Sequence, residues 1–488
     1  MTRQFFKMLF HSLLLACLAA GGAFAQQSGS GLQEKRTTLE DQQQVAVTIY
    51  NEDLALVRDQ RRVVLDKGEN LLAFREVSAL IRPETALLRS LSHPEGFFLV
   101  EQNFDFDLLT PQKLLEKYVG RSVQVVRSHP QTGAERFEEA RVLAAAGGVV
   151  LQIGERIETG IPGRLVYPDV PANLRDRPTL VTRLNSGSER PQQLELAYLT
   201  GGLSWQADYV AELSPADDQL DLSGWVTLTN RSGTSYRQAR LQLVAGDVHR
   251  ARDELRPVPA ARFQTLAAEA AAPKMAEEAL FEYHLYTLER PTTIAENQTK
   301  QVALLGASGV PVTKELLLQG SDYYYSGSFG ELGRKLKVGV FVEFENREQA
   351  SLGMPLPRGI VRVYKQDSSG GAQFVGEDRI DHTPKNEKVR LKLGEAFDVT
   401  ADKTQTDFKK LAGSGRYNYI FESAYRIELK NAKPEQVTVK VAEPMPGDWE
   451  MVSESHPHRK PAAGTAVWEI PVPAEGKAVL EYRVRVKL

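Results

Sequence analysis

The stretch YNYIFESAYRIELK, residues 417–430, places apolar side chains at almost every second position. Its odd positions are aromatic or aliphatic apart from Ser423, and from Arg426 to Lys430 its even positions are charged. Successive side chains of a strand point to opposite faces, so this period of two predicts a strand with one buried face. Long strands of this kind are typical of antiparallel sheets whose other face meets water.

The same alternation recurs on both sides of this stretch. Further examples are Leu194–Tyr198, Leu203–Tyr209, Val338–Phe344 and Leu480–Val486. The chain has 488 residues, enough for about three domains. We therefore predict a mainly β protein that contains several antiparallel β-sandwiches.

The N-terminal half shows shorter strands. Several apolar runs separated by Gly-containing turns lie between residues 119 and 160, a pattern that predicts a small SH3-like barrel within an N-terminal β domain, residues 45–190. One short helix is expected just before them. Thr110 is a good N-cap, Pro111 suits the first helical position, and Gly120 ends the segment.

Two segments lack a regular apolar pattern. Residues 26–44 are polar, and we expect a flexible leader there. Residues 258–279 are rich in Ala and Pro and interrupt the C-terminal region, residues 191–488. This insertion could form an exposed helix or a mobile loop, and its prolines favour the loop.

The first 25 residues have the pattern of a secretory signal peptide. Arg3 and Lys7 precede an apolar stretch that ends in small residues at Ala23 and Ala25, so cleavage is expected before Gln26. A periplasmic or secreted protein of a Gram-negative bacterium follows from this interpretation. No stretch of the mature chain reaches the ~20 apolar residues that a transmembrane helix needs.

The chain contains one cysteine, Cys17, inside that signal. Leu14, Leu15 and Ala16 before it resemble a lipoprotein cleavage box, so a lipid-anchored protein is the alternative. The bulky Leu15 favours ordinary cleavage, which leaves no cysteine in the mature chain. Disulfides, thiol nucleophiles and Cys-ligated zinc are then excluded.

The composition is that of an ordinary globular protein. Charged residues make up 25% of the chain, hydrophobic residues 42%, and the formal net charge is −3. Nucleic-acid binding requires a concentrated basic face, which this balance does not favour. We expect no nucleic acid among the partners.

Four segments of the C-terminal half carry a resemblance to a known bacterial family. They are LTGGLSWQADY (199–209), LSGWVTLTNRSGT (222–234), PLPRGIVRVY (355–364) and GEDRIDHTP (376–384). In this order they resemble the family called domain of unknown function 4139, whose better-known relatives are mucoidy inhibitors of the bacterial envelope. Those relatives usually carry a coiled coil between their halves, and this sequence has no heptad run there. The resemblance implies an envelope protein and supplies no catalytic residue.

The sequence contains none of the common hydrolase, metalloprotease or nucleotide-binding motifs. Asp378, Asp381 and His382 are the best candidate ligands for a divalent cation. The same residues also suit a hydrogen-bonded turn before Pro384. Neighbouring side chains on a strand point to opposite faces, which favours the turn.

Three further groups of residues bear on function. Asp208 follows Trp205, and Asp247 with His249 follows an apolar run; each pattern favours a hydrogen bond at a strand end. Tyr323, Tyr324 and Tyr325 are adjacent, so on a strand at least one ring would be exposed and could grip a glycan or a protein.

Two functions are consistent with these observations. The sequence favours an exported, non-enzymatic β protein without a cofactor, which organises the envelope through contacts with a protein or a glycan. The alternative is a periplasmic hydrolase or metal-dependent enzyme whose site lies between domains and uses Asp378 and Asp381.

Overall fold

The computed structural model describes residues 32–246 and 275–488, apart from residues 52, 106, 162, 172, 173 and 414. The signal peptide, Asp247, His249 and residues 258–274 lie outside these ranges. In chain order, the strands before the gap are β1 (Glu34–Thr37), β2 (Gln42–Tyr50), β3 (Leu54–Val63), β4 (Gly68–Arg75), β5 (Leu87–Ser90), β6 (Phe98–Asp105), β7 (Ser122–Ser128), β8 (Glu135–Ala144), β9 (Val150–Ile153), β10 (Arg156–Thr159), β11 (Arg164–Val166), β12 (Thr179–Ser186), β13 (Gln192–Thr200), β14 (Leu203–Leu213), β15 (Gln219–Asn230) and β16 (Tyr236–Ala245).

The strands after the gap include the longest described ones. They are β17 (Met275–Leu280), β18 (Tyr283–Leu288), β19 (Thr292–Ile294), β20 (Gln298–Gln319), β21 (Glu331–Glu345), β22 (Gly359–Gln366), β23 (Ala372–Ile380), β24 (Lys388–Ala412), β25 (Tyr419–Asn431), β26 (Val437–Pro444), β27 (Asp448–Glu454), β28 (Arg459–Ala462), β29 (Thr465–Val472) and β30 (Lys477–Lys487). One α-helix is described, α1 (Pro111–Lys117), together with 3-10 helices at Pro83–Thr85, Asp322–Tyr325 and Glu348–Ala350. The mainly β prediction is confirmed.

The chain divides into two compact units. The first comprises the residues up to Gln43, Gln60–Val77 and Leu87–Leu196; the second comprises Gln44–Asp59, Ser78–Ala86 and Ala197–Leu488. Three of the five boundaries therefore fall within strands, in β2, β3 and β13.

The first unit contains a four-stranded sheet, order β1-β4-β12-β6, and a five-stranded antiparallel sheet, order β10-β9-β8-β7-β11. Within the described residues the two outer strands of the second sheet do not pair with each other, so the sheet is open and the predicted small SH3-like barrel is not found as a closed barrel. Helix α1 provides part of its core, since Leu115 and Tyr118 pack with Val123 and Val125. The predicted helix start is confirmed, because the Thr110 side chain accepts a hydrogen bond from the backbone N–H of Lys113.

The prediction of a flexible leader is wrong for part of residues 26–44. Strand β1 pairs in parallel with β4, and β2 already begins at Gln42. Thr37 is fully buried, and the Arg61 guanidinium donates to its carbonyl at 3.0 Å. Arg61 also lies 4.0 Å above the Phe74 ring. The segment has no apolar run of its own, so contacts with residues distant in the chain give it its structure.

The second unit is built on one large sheet, order β23-β22-β14-β15-β20-β21-β24-β25-β30-β27, in which β26 joins β20 to β29. The pairs β14–β22 and β20–β26 are parallel, so this sheet is mixed where we predicted antiparallel strands. Strand β16 likewise pairs in parallel with β2. Residues 275–279 of the predicted insertion belong to β17, which pairs with β18.

The alternation that opened the sequence analysis is confirmed in β25. Ser423, Tyr425, Ile427 and Leu429 are buried, with charged residues between the last three. Tyr425, Ile427 and Leu429 pack with residues of β26, β29 and β30 in what we call the C-terminal core. The Trp468 ring of β29 stacks on the Tyr482 ring of β30, with 4.8 Å between centroids.

Three buried asparagines hold loops in the second unit in the same way, and we call them the asparagine corners. Asn230, Asn346 and Asn431 each end a strand or directly follow one. The side-chain oxygen of each accepts a backbone N–H two or seven residues ahead, at 3.0 Å. The side-chain nitrogen of each donates to carbonyls of two segments, those of Thr234 and Ala295, of Met354 and Pro384, and of Glu435 and Pro473.

Candidate functional site

The four segments that carry the family resemblance lie on neighbouring strands. Strand β14 pairs with β15 on one side and with β22 on the other, and β22 pairs with β23. The first segment therefore lies between the second and the third, and the fourth follows at the sheet edge. The resemblance maps to one continuous piece of sheet.

The inner face of this sheet is apolar. Trp205, Ala207 and Tyr209 of β14 are buried, and the Tyr209 hydroxyl donates to the carbonyl of Pro357 at 2.8 Å. Burial raises the pKa of Tyr209 well above its ordinary value. Gly359 is required here, because a Cβ at this position would collide with the Ala207 carbonyl. The inner face fixes the spacing of β14 and β22.

The outer face of the same strands carries a charged network around Asp208. The Asp208 carboxylate accepts from the Thr227 hydroxyl at 2.7 Å and from the Arg362 guanidinium at 3.0 Å. Gln206 donates to it at 3.3 Å. Arg362 also lies 3.3 Å from the Glu377 carboxylate. Asp208 lies in the middle of β14, so the expected hydrogen-bonding role is present but not at a strand end.

Aromatic side chains share this outer face. Trp225 lies directly opposite Asp208 in the β14–β15 pair and is half-buried. Tyr364 follows Arg362 by two residues, and its ring contacts that of Phe374 edge-on, at 5.7 Å between centroids. The Phe374 side chain is 56% exposed. We call Asp208, Trp225, Arg362, Tyr364, Phe374 and Glu377 the polar-aromatic face.

The predicted metal ligands do not converge. Asp378 lies on the opposite face of β23 from Glu377, and its carboxylate accepts the backbone N–H of Lys392 at 2.7 Å. His382 accepts the backbone N–H of Arg358 at 3.2 Å. Across the described ranges, no three His, Cys, Asp or Glu side chains form a metal-binding group.

The turn before Pro384 uses the predicted residues in a different way. The Thr383 hydroxyl donates to the carbonyl of Asp381 at 2.9 Å, and Thr383 pairs with Leu356 as an isolated bridge. Asp381 itself is exposed. Its backbone therefore contributes to the turn, in place of the side chain that the sequence suggested.

The tyrosine triplet lies on a 3-10 helix, Asp322–Tyr325, and the expectation of a strand is wrong. Tyr324 and Tyr325 are buried, while Tyr323 is 53% exposed and contacts the Phe329 ring. Gly320, shortly before this helix, has no room for a Cβ because the Glu443 carboxylate lies against it. Of the three rings, that of Tyr323 is the exposed one, as the sequence led us to expect for at least one of them.

Two of these tyrosines enclose a buried ion pair that sequence reasoning missed. The Lys403 ammonium lies 2.6 Å from the Glu443 carboxylate, with side chains only 2% and 0% exposed. It also lies 4.3 Å from the centre of the Tyr324 ring, while the Tyr325 hydroxyl donates to Glu443 at 2.8 Å. Burial lowers the pKa of Lys403, and the adjacent carboxylate opposes that shift.

Desolvation also affects the tyrosines of this cluster. Burial raises the pKa of Tyr425 to about 12 and that of Tyr482 well above its ordinary value. Within this cluster the Tyr325 and Tyr482 hydroxyls hydrogen-bond to each other, and the Tyr425 hydroxyl donates to the carbonyl of Tyr324. The cluster is buried. Its arrangement suits a structural role.

Two comparisons with known proteins bear on the family resemblance of the four segments. A search of curated proteins finds no match to the chain. No helix in the described ranges is long and apolar enough to cross a membrane. The sequence model of the domain of unknown function DUF4139 matches residues 194–488, and the chain therefore belongs to this family.

Proposed function

We propose that this chain is an exported, non-enzymatic protein of the Gram-negative envelope that binds a glycan through its polar-aromatic face. The observation that carries the proposal is the composition of this face. The strands of the four family segments place three aromatic rings beside a guanidinium and two carboxylates on one side of a sheet, where Asp208 is buried while Phe374 and Glu377 are exposed.

These groups match the two kinds of surface on a sugar. Aromatic rings pack against the apolar C–H face of a pyranose, and charged groups bind its hydroxyls. The polar groups are already held in place, since Asp208 accepts from Thr227 and Arg362 lies between Asp208 and Glu377. A preorganised site loses less conformational entropy when it binds.

The same geometry favours binding over hydrolysis. Most glycosidases need one carboxylic acid that protonates the leaving oxygen and a second carboxylate on the other side of the bond. Asp208 and Glu377 instead contact a single guanidinium between them. This arrangement provides two hydrogen-bond acceptors and leaves no separate proton donor.

The replacement Phe374→Ala is expected to weaken glycan binding about tenfold, because an exposed ring that packs against a sugar makes a large contribution to affinity. Arrays of envelope polysaccharide fragments identify the glycan, and calorimetry with the full chain measures its affinity. Phe397→Ala is the matched control, since Phe397 is 91% exposed elsewhere on the second unit. Absence of glycan binding, or an equal loss in both variants, would contradict the proposal.

Export is the second part of this proposal and rests on Arg3, Lys7 and the site that ends at Ala25. The mature protein is expected to begin at Gln26 and to be released by osmotic shock. The intact mass of the exported chain measures this start. A diacyl group on Cys17 would instead show a lipid-anchored protein.

A further inference from the structure

A second surface of the second unit carries positive charge at an open cavity of about 570 Å³. Arg390 of β24, Lys440 of β26, and Arg459 and Lys460 of β28 line it. Cavities of this size accommodate small ligands. We call this surface the basic cleft.

The cations of the basic cleft are held in place. Glu315 accepts from Arg390 at 2.5 Å and from Lys440 at 2.7 Å, so one carboxylate positions two cations. The Arg390 guanidinium also lies 3.8 Å above the Phe341 ring. Side chains that are fixed before binding lose little rotamer freedom when a ligand arrives.

The opposite rim is arranged similarly. Arg459 pairs with Glu469, and the Lys460 ammonium lies 4.2 Å above the Trp449 ring. Two carboxylates therefore contact three of the four cations, which leaves an excess of positive charge. The side chains of Arg390 and Arg459 remain 40% and 68% exposed, so both can reach a ligand.

The floor of the cleft is apolar. Leu317, Ala442 and Val467 line it, on β20, β26 and β29. Ala442 pairs with Gln319 on one side and with Val467 on the other, so the floor is continuous sheet. An apolar floor below cationic rims suits a ligand whose anionic groups project from a less polar scaffold.

We infer that the basic cleft binds a small oligoanion, a ligand that carries two or more carboxylate or phosphate groups. Guanidinium groups recognise both kinds of anion through paired hydrogen bonds. This inference does not depend on the glycan proposed for the polar-aromatic face. It assigns the second unit a separate, charge-dependent site.

Calorimetry with the full chain tests the inference, with trigalacturonate as the carboxylate probe, tripolyphosphate as the phosphate probe and maltotriose as the neutral probe. At least one anion is expected to bind, more weakly as salt is added. The double variant Arg459→Glu, Lys460→Glu should weaken binding about tenfold or more, because two attractive charges become repulsive. The stronger of the two anions identifies the chemical group that the cleft prefers.

A matched double variant, Arg426→Glu with Lys477→Glu, makes the same charge change on exposed residues of β25 and β30. It should leave the affinity within about twofold, because screened charges away from the cleft contribute little. Phe374→Ala should also leave it unchanged, which separates this site from the glycan face. No binding of either anion, an equal loss in the control, or equal binding of maltotriose would overturn the inference.

Discussion

Replacement of Asn431 by Asp is expected to lower the free energy of unfolding by about 4 kcal/mol, because the carbonyls of Glu435 and Pro473 lose their donor and then face a buried carboxylate. Asn431 is 3% exposed, and its side-chain nitrogen donates to Glu435 at 2.8 Å and to Pro473 at 2.9 Å. Urea unfolding of the full chain, followed by tryptophan fluorescence, measures the change.

The control for this prediction is Asn418→Asp on an exposed residue. It should change the free energy of unfolding by no more than about 0.5 kcal/mol, as surface substitutions usually do. The corresponding changes at Asn230 and Asn346 should resemble that at Asn431, since their geometry is the same. A loss below about 1 kcal/mol at all three would show that these corners contribute little to stability.

The asparagine corners show where sequence reasoning stops. Asn230 and Asn431 each end an alternating strand, and that position is visible in the sequence. The acceptors are not visible, because Asn230 donates to Ala295, sixty-five residues ahead, and Asn431 to Pro473, forty-two residues ahead. Only the fold brings those carbonyls to the amide.

Features set by local sequence were predicted well. The alternation in β25 and the Thr110–Pro111 helix start depend on residues a few positions apart, and both are confirmed. Strand β1 was missed because its structure depends on β4 and Arg61, which lie well ahead in the chain. The five-stranded sheet is open where the sequence predicted a barrel, because a pattern of short strands does not determine whether the outer strands pair with each other.

The candidate site was predicted in part. The sequence singled out Asp208 and gave it a hydrogen-bonding role, but its partner Arg362 lies 154 residues ahead. For the buried ion pair a signal was present. Lys403 lies on the same face of β24 as the buried residues Val399 and Ala401. The alternation therefore places a charged residue on the apolar face of the strand. Such a residue indicates a buried partner, although the sequence does not identify it as Glu443.

Because Glu443 is the partner of the buried Lys403, Glu443→Gln is the second replacement with a large expected effect on stability. It should lower the free energy of unfolding at pH 7 by about 3 kcal/mol, because the variant leaves the Lys403 ammonium buried without a counter-charge. The glutamine can still accept a hydrogen bond from Tyr325, so the loss reports the charge more than the packing. Urea unfolding monitored by fluorescence measures it.

The pH dependence of this loss distinguishes a charge effect from a packing effect. Burial already lowers the pKa of Lys403, and without the carboxylate of Glu443 nothing opposes that shift. A lysine whose folded pKa is depressed contributes stability above its unfolded pKa of about 10.4 and loses it as the pH falls. The deficit of Glu443→Gln should therefore shrink as the pH rises from 7 toward 10.

Adding Lys403→Met, which removes the unpaired charge, should recover much of the loss at pH 7. A deficit that is independent of pH and persists in the double variant would mean that Glu443 acts through packing, and that the ion pair itself is not what stabilises the C-terminal core.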